Sequence, residues 1–469
     1  MLHYSPNILI FIFVELTNCT KGEREEMKKV LILGAGHVTK PIVDYLTEKC
    51  GYNVTMAART ISKAEKIIAG RKKAAAVSWA NDEVEKLDKL IAEHDIVINM
   101  IPKAYHVMVA KLCLKHRKSM VTTSYEIPPI KELDSEAKEK GILILNELGE
   151  DPGMDHFATQ MLLDEIKADG GRVIDVYSYG SGLPSFKFNN NPMGYKFSWE
   201  PKGVFLAAQV PAKWLNKGKP VPIDGDKLFE NFTMVDIEGL GTFEAYANKD
   251  VTRYVKPYGL PDDVTFYRGL LRFSGYCNNM RNFLKLDLLN DKDKFDWKGK
   301  TFRDFASHLI KSKHTENLES EFAKYLGVDH LSDIMMRLKW LGLFDTEPIK
   351  LKNGSKLDVF IELLLKKLTY SHGETDMTII HVDILAEFPG GKKEHRTATM
   401  VADGELDGDS AMAKAVGLPP AIATKYIFEG VIKEVGVHMP PTLPYLYKPF
   451  VKELADYGFV FKKRVKKVN

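Results

Sequence analysis

Residues 28–41 read KKVLILGAGHVTKP. An apolar run ends in Gly34-Ala35-Gly36, and the TKPIVDYLTEK that follows sets Ile42, Val43 and Leu46 at helical spacing. This is the order strand, tight turn, helix. Gly34 permits the turn, and Gly36 lets the backbone approach a pyrophosphate whose charge meets free N–H groups at the helix start. The third position of the usual glycine pattern is Thr39, so the helix is expected to press less closely on its strand. Pro41 falls early in the helix, where a missing N–H costs least. Taken alone, the stretch leaves a nicotinamide cofactor, a flavin and no cofactor all open.

Its surroundings narrow the choice. YNVTMAAR at 52–59 reads as a strand, SKAEKII as a helix, HDIVINMIP at 94–102 and KSMVTTSY at 118–125 as further strands. Such alternation predicts a parallel sheet covered by helices. At the end of the second strand, where Asp or Glu would hold the ribose of NAD, the chain has Ala58-Arg59-Thr60 followed by Lys63. Arg59 can fork onto a 2′-phosphate that an acid would repel, so NADP(H) is expected over NAD(H). The competing reading is an ordinary surface arginine. The strand ends at 99–102 and 122–125 and the bent segment NELGEDPGMDH at 146–156 should line the ligand crevice. Asp155 and His156 are neighbours on a helix start and diverge in direction, so Asp155 suits a helix cap better than an acid–base pair.

With 469 residues the chain is long enough for two or three domains. Apolar residues at 45% and charged residues at 28% exclude a disordered or fibrous class. A net charge of +3 makes no case for nucleic acid, and KKRVKK at 462–467 reads as a solvated tail. Cys19, Cys50, Cys113 and Cys277 form no Cys-x-x-Cys pair, which argues against a disulfide framework and a metal site and suits a reducing cytoplasm. NILIFIFV at 7–14 lacks a basic residue before it and falls short of the roughly 20 residues that span a bilayer, so no membrane association is expected. Residues 1–26 read as an extension ahead of Met27, with a weak secretory signal as the alternative.

Beyond residue 171 the texture changes. RVIDVYSYGSGLPS, TFEAYANKDVTRYV and VTFYRGLLRFSGY read as strands of a second sheet, separated by the aromatic and Asn-rich KFNNNPMGYKFSWEPKG at 187–203. The stretch from 300 to 370 is helical, with apolar stripes in FRDFASHLI, IMMRLKWLGLF and KLDVFIELLLKKL. DMTIIHVDILAEF at 376–388 and EHRTATMVADG return as a hairpin, so the helices form an insertion. Pro419-Pro420 should break the last helical pattern, 410–430, into two helices.

Gly-x-Gly-x-x-x-x-Pro with TKP, then NMIP, VTTSY, NELGEDPGMDH, GSGLPS, NPMGYKFSW and RGLLRFSGY together resemble the saccharopine dehydrogenase family, most closely its NADP-dependent, L-glutamate-forming branch. The resemblance implies an α/β chain in three parts. A Rossmann-like dinucleotide domain occupies 27–150, with helices from about 420–469 packing back on it. A mixed-sheet α+β domain, 151–298 and 372–419, binds substrate and helps form a homodimer, and a small all-helical domain fills 299–371. Implied NADP(H) contacts are Gly34, Ala35, Gly36, His37, Val38, Arg59, Thr60, Ser78, Trp79, Asn99 and Met100. Implied substrate contacts are Ser124, Tyr125, Asp151, Trp199, Lys202, Lys249, Leu271 and Arg272, with Asp151 and Tyr125 nearest the chemistry.

Two departures from the family pattern stand out: Lys249 where relatives can carry Arg, and Glu150 in place of an apolar residue of fungal relatives. The implied substrate, saccharopine, has three carboxylates and two amino groups, which suits a site mixing cations with a carboxylate. A chain without a lysine–ketoglutarate reductase half resembles the arrangement of fungal-type lysine biosynthesis, the expected direction. Three alternatives stay open: a related reductive imine-former such as carboxynorspermidine dehydrogenase, a noncatalytic NADPH-binding sensor, and a membrane-associated homologue, helped only by NILIFIFV.

Overall fold

The computed structural model describes residues 27–198, 200–312 and 316–468. Residues 1–26, including NILIFIFV, and Trp199 lie outside the described residues. The first apolar runs become strands β1 (Lys29–Leu33), β2 (Asn53–Ala58), β3 (Ala74–Ser78), β4 (Ile96–Asn99), β5 (Ser119–Thr122) and β6 (Leu143–Leu145). They lie parallel in the order β3-β2-β1-β4-β5-β6. Val30 to Leu33 are all 0% exposed, as expected for a parallel sheet with helices on both faces. The order reverses between β1 and β4, which opens a crevice over the carboxyl ends of those strands.

The second sheet is mixed. Its strands are β7 (Arg172–Pro184), β8 (Ala212–Asn216), β9 (Lys219–Ile223), β10 (Phe232–Ile237), β11 (Gly241–Ala247) and β12 (Thr265–Arg272). A two-residue pair, β13 (Phe295–Asp296) with β14 (Asn353–Gly354), stands apart, and β15 (Asp376–Phe388) and β16 (Lys392–Asp403) then form the expected hairpin. Near the C terminus, β17 (Gly436–His438) adds to β6 in the first sheet and β18 (Lys462–Val468) pairs with β16 in the second. The order β10-β11-β12-β7-β15-β16-β18 has β8 and β9 attached at β12.

Packing makes one layered body of these parts. Leu31, Leu33 and Val97 face an outer core against the helices Val84–Glu93 and His106–His116. On the other face of the first sheet, Val30 and Ile32 share a core with Val176, Ile380 and Val382 of the second. The helices Met154–Ala168, Ala411–Phe428 and Tyr447–Ala455 contribute to that shared layer. The far face of the second sheet, with Tyr179 and Ile379, packs on the helices between 302 and 365.

Three local readings differ from expectation. Ala411–Phe428 is one helix with Pro419 and Pro420 inside it. Two N–H donors are lost, but Ala411, Ala413, Ala415 and every residue from Gly417 to Thr424 are buried, and tertiary packing outweighs the local cost. KKRVKK is an exposed edge strand within β18, where lysines suit an edge that must not pair further. In TFEAYANKDVTRYV the strand stops at Ala247, because Asp250 accepts from the Thr252 N–H and hydroxyl and starts a helical turn.

Candidate functional site

The dinucleotide turn takes the conformation its glycines allow. Gly34 has φ +107°, and a Cβ there would lie 3.2 Å from the Met100 carbonyl oxygen. Gly36 is exposed, and a Cβ on it would meet nothing within 4 Å. The Ala35, Gly36, His37 and Val38 N–H groups make no hydrogen bond with the described residues, so the turn presents free donors to an anion. Thr39 is fully buried, with its hydroxyl bonded to the Gly36 carbonyl at 2.9 Å. A second close approach is made by Gly417 of the Ala411–Phe428 helix, where a Cβ would sit 2.6 Å from the Val38 carbonyl oxygen.

Arg59 and Thr60 are exposed at the end of β2, and Arg59 has no ion pair among the described residues. Ser78 is exposed beside them, whereas Trp79 is 1% exposed and donates to the Glu83 carbonyl. Asn99 is fully buried. Its amide faces Met120 and the Ile101 N–H, so only its neighbour Met100 borders the crevice.

On the far side of the crevice, the 146–156 segment meets β7 and β12. Gly153 has φ +148°, and a Cβ on it would collide with the Gly149 backbone. This sharp return, with a cis Asp151-Pro152 bond, lays Asp151 over Gly180 of β7. Asp151 is 1% exposed at its side chain, and its Oδ1 is paired with the Arg268 guanidinium. Its Oδ2 is buried without a hydrogen-bond partner.

Arg268, on β12, also donates to Asp155 at 2.9 Å and to the Tyr125 hydroxyl at 2.6 Å, and lies over the Tyr125 ring. The Asn248 amide donates to the same hydroxyl at 3.3 Å. Burial, partly offset by Arg268, holds the Tyr125 phenol above its ordinary pKa. Lys249 has its ammonium 5.7 Å from the centre of the Tyr125 ring and no carboxylate partner among the described residues. Burial, with the charge of Lys103 added, pulls its pKa down.

Of the residues expected from sequence, the fold brings Tyr125, Asp151 and Lys249 together, and it sets Arg268 and Asn248, which the sequence reading did not single out, against Tyr125. A signal for Arg268 was present: an arginine inside TFYRGLLR must be buried, and a buried guanidinium needs carboxylates. Ser124 lies next to Tyr125, its carbonyl bonded to the Glu147 N–H. Leu271 is fully buried, with its carbonyl accepting from the Ser181 hydroxyl. Arg272 is enclosed by the rings of Tyr195, Tyr246 and Tyr276, and its Nε is buried without a partner. Lys202 is not brought to this cluster. It is held by Asp291 and Asp358 at 2.6 and 2.9 Å.

His156 is 1% exposed between the Tyr258 hydroxyl and Glu147. Burial opposes its charge, but Asp155 and Glu147 outweigh burial and raise its pKa. Both ring nitrogens are occupied, which makes it a brace. Asp155 is not the cap expected of it: Gly153 holds the N-cap position, and Asp155, in the first turn, accepts from the Gly153 N–H at 2.7 Å while its other oxygen holds Arg268. The site therefore offers one free carboxylate oxygen, cations without counter-ions and an anion-receptive turn.

Comparison with known proteins gives two family matches: the saccharopine dehydrogenase NADP binding domain over residues 30–145 and the saccharopine dehydrogenase C-terminal domain over 149–459. Saccharopine dehydrogenase [NADP(+), L-glutamate-forming] of Schizosaccharomyces pombe is 35% identical over 441 residues, covering 92% of this chain and 98% of its own. The bovine mitochondrial alpha-aminoadipic semialdehyde synthase is 34% identical over 445 residues, which are 92% of this chain and 47% of that protein. The apo L-Glu-forming saccharopine dehydrogenase of Saccharomyces cerevisiae superposes with a TM-score of 0.83 at 32% identity, covering 94% of this chain and all of that one.

Proposed function

Because the chain belongs to the saccharopine dehydrogenase family, we propose that Asp151, Tyr125 and Lys249 hold its substrate, with Arg268 fixing Asp151 in place. The chain is an NADP-dependent oxidoreductase acting on a CH–NH group. It interconverts saccharopine, NADP+ and water with L-glutamate, L-2-aminoadipate 6-semialdehyde, NADPH and a proton, a reaction of lysine metabolism. The open turn at Gly36 and the unpaired Arg59 fit the pyrophosphate and 2′-phosphate of NADP(H), with Thr60 and Ser78 beside Arg59. When bound, that cofactor supplies the acceptor or donor of hydride at the carbon attached to the bridging nitrogen.

The remaining work falls to orientation. Asp151 Oδ2 is the observation that carries this reading: a buried carboxylate oxygen without a donor, beside a cation without a counter-ion, matches a substrate bearing both ammonium and carboxylate groups. Lys249 and Lys103 take a substrate carboxylate, and Arg272, whose buried Nε lacks a partner, takes a second one. Asp151 holds the bridging amine, or the water that adds to the imine, and Tyr125 fixes the adjoining carboxylate. The C–H carbon on the bridging amine releases hydride to leave an imine, and in reverse the imine accepts hydride with its nitrogen as electron sink, so for that step positioning suffices. A homodimer in the cytoplasm completes the proposal. The resemblance to the family supports the dimer, and the unpaired thiols Cys50, Cys113 and Cys277 suit a reducing compartment.

The decisive experiment gives saccharopine and NADP to protein expressed from Met27 at alkaline pH and identifies the products by mass spectrometry. Glutamate and aminoadipate semialdehyde are expected, with little turnover of polyamine adducts. Lysine and 2-oxoglutarate would refute the assignment, since they require hydride removal from the other side of the bridging nitrogen.

A further inference from the structure

Beside Asp151 lies a second carboxyl with no part in the mechanism above. Glu150 is 6% exposed and forms no ion pair with any described residue. Its Oε1 accepts from two uncharged donors, the Ser181 N–H of β7 at 3.2 Å and the Thr378 hydroxyl of β15 at 2.9 Å. Asp376, two residues before Thr378, is occupied with the Ala411 and Met412 N–H groups. The charged groups that act on Glu150 are Asp155 from the Met154–Ala168 helix and Arg268 from β12, with Asp151 next to it in the chain. Arg268 is already shared among Asp151, Asp155 and Tyr125. A carboxylate buried without a counter-charge is unfavourable, and an apolar side chain would fill the place more stably.

We propose that Glu150 is a positioning residue whose proton sets the charge behind Asp151, and so the pull of Asp151 Oδ2 on the substrate amine. This rests on the reading of the cluster as a saccharopine site. Burial pushes the Glu150 pKa up to about 7, against the Thr378 and Ser181 bonds and with Asp155 adding to it. Below neutrality Glu150 is an uncharged acid, and Arg268 serves two carboxylates. Above neutrality a third negative charge joins them, which favours an ammonium at the unpartnered oxygen.

Glu150→Gln keeps the shape and removes the charge. The test is kcat/KM for saccharopine from about pH 5.5 to about pH 9.5 in both proteins, alongside NADPH affinity. The ratio of wild type to variant should rise roughly three- to tenfold as pH passes neutrality, with NADPH binding unchanged. A flat ratio would overturn the proposal. Thr378→Val, which removes a donor to the ionised form, should move the step to higher pH, and an unmoved step counts against Glu150.

Thermal unfolding supplies a readout without substrate. The folded chain keeps a proton that the unfolded chain, with an ordinary carboxyl value of 4.5, has released. Stability from that proton is full below the unfolded value and lost as pH rises through the folded one, so wild-type Tm should fall relative to the variant between about pH 5 and about pH 8. A missing Tm step with turnover intact overturns the role of Glu150 alone. A clear Tm step without saccharopine turnover overturns the site reading beneath it.

Discussion

Asp151 and Arg268 are 1% exposed at their side chains, and each is tolerable there only because of the other. Arg268→Met would leave Asp151 and Asp155 buried without their guanidinium, and breaking such a group costs about 3–5 kcal/mol. Urea unfolding should register that loss, and a change under about 1 kcal/mol would mean that the carboxylates find other donors. Asp151→Asn keeps the packing and the oxygen facing Arg268. It should lower turnover while leaving NADPH affinity nearly unchanged, read from kcat and a cofactor titration. A parallel fall in NADPH binding would place Asp151 in the cofactor site instead. The types of residue needed here were legible: DPGMDH at a bent loop and a tyrosine at a strand end. The pairings were not, because Arg268 lies 117 residues from Asp151 and 143 from Tyr125.

At the scale of elements, two glycines do different work in two turns. Gly153 has φ +148° and no room for a Cβ against Gly149, so Gly153→Ala strains the loop that carries Glu150 and Asp151. A loss of about 1–3 kcal/mol is expected, together with a larger loss of turnover than stability alone explains. Gly36 has open space around it, so Gly36→Ala should fold with an unaltered Tm and bind NADPH more weakly. Equal Tm for the two variants would show that the 149–153 return is not what shapes the site. Both turns could be read from sequence, since a glycine between an apolar run and an amphipathic one marks a special backbone position. The continuity of Ala411–Phe428 through Pro419 and Pro420 could not, because the burial that overrides two prolines comes from neighbours remote in sequence.

At the scale of the molecule, the C-terminal segment joins both sheets. β17 completes the first next to β6, the Tyr447–Ala455 helix fills the shared core, and β18 closes the edge of the second. The seven residues of β18 are all exposed, whereas Phe450, Leu454 and Phe459 are 0% exposed. Removing residues from 462 onward should therefore lower Tm by a few degrees and spare turnover, roughly what 1 kcal/mol does to a large domain. Removing residues from 447 onward should abolish soluble folded protein. A short truncation as damaging as the long one would give β18 a larger part in the fold than its exposure indicates.

By itself the sequence determined the α/β class, the parallel sheet, the strand–turn–helix around Gly34 and Gly36, the helical stretch between strands of the second sheet and the choice of NADP(H). Each of these depends on local periodicity, turn chemistry or a residue at a strand end, all of which act over a few residues. Only the tertiary structure decided that β18 is a strand, that Lys202 belongs to Asp291 and Asp358, that Arg268 anchors the site and that Glu150 is buried without a cation. Those outcomes depend on which distant side chains arrive on adjoining strands, and the energy of a buried charge is fixed by its neighbours rather than by its place in the chain.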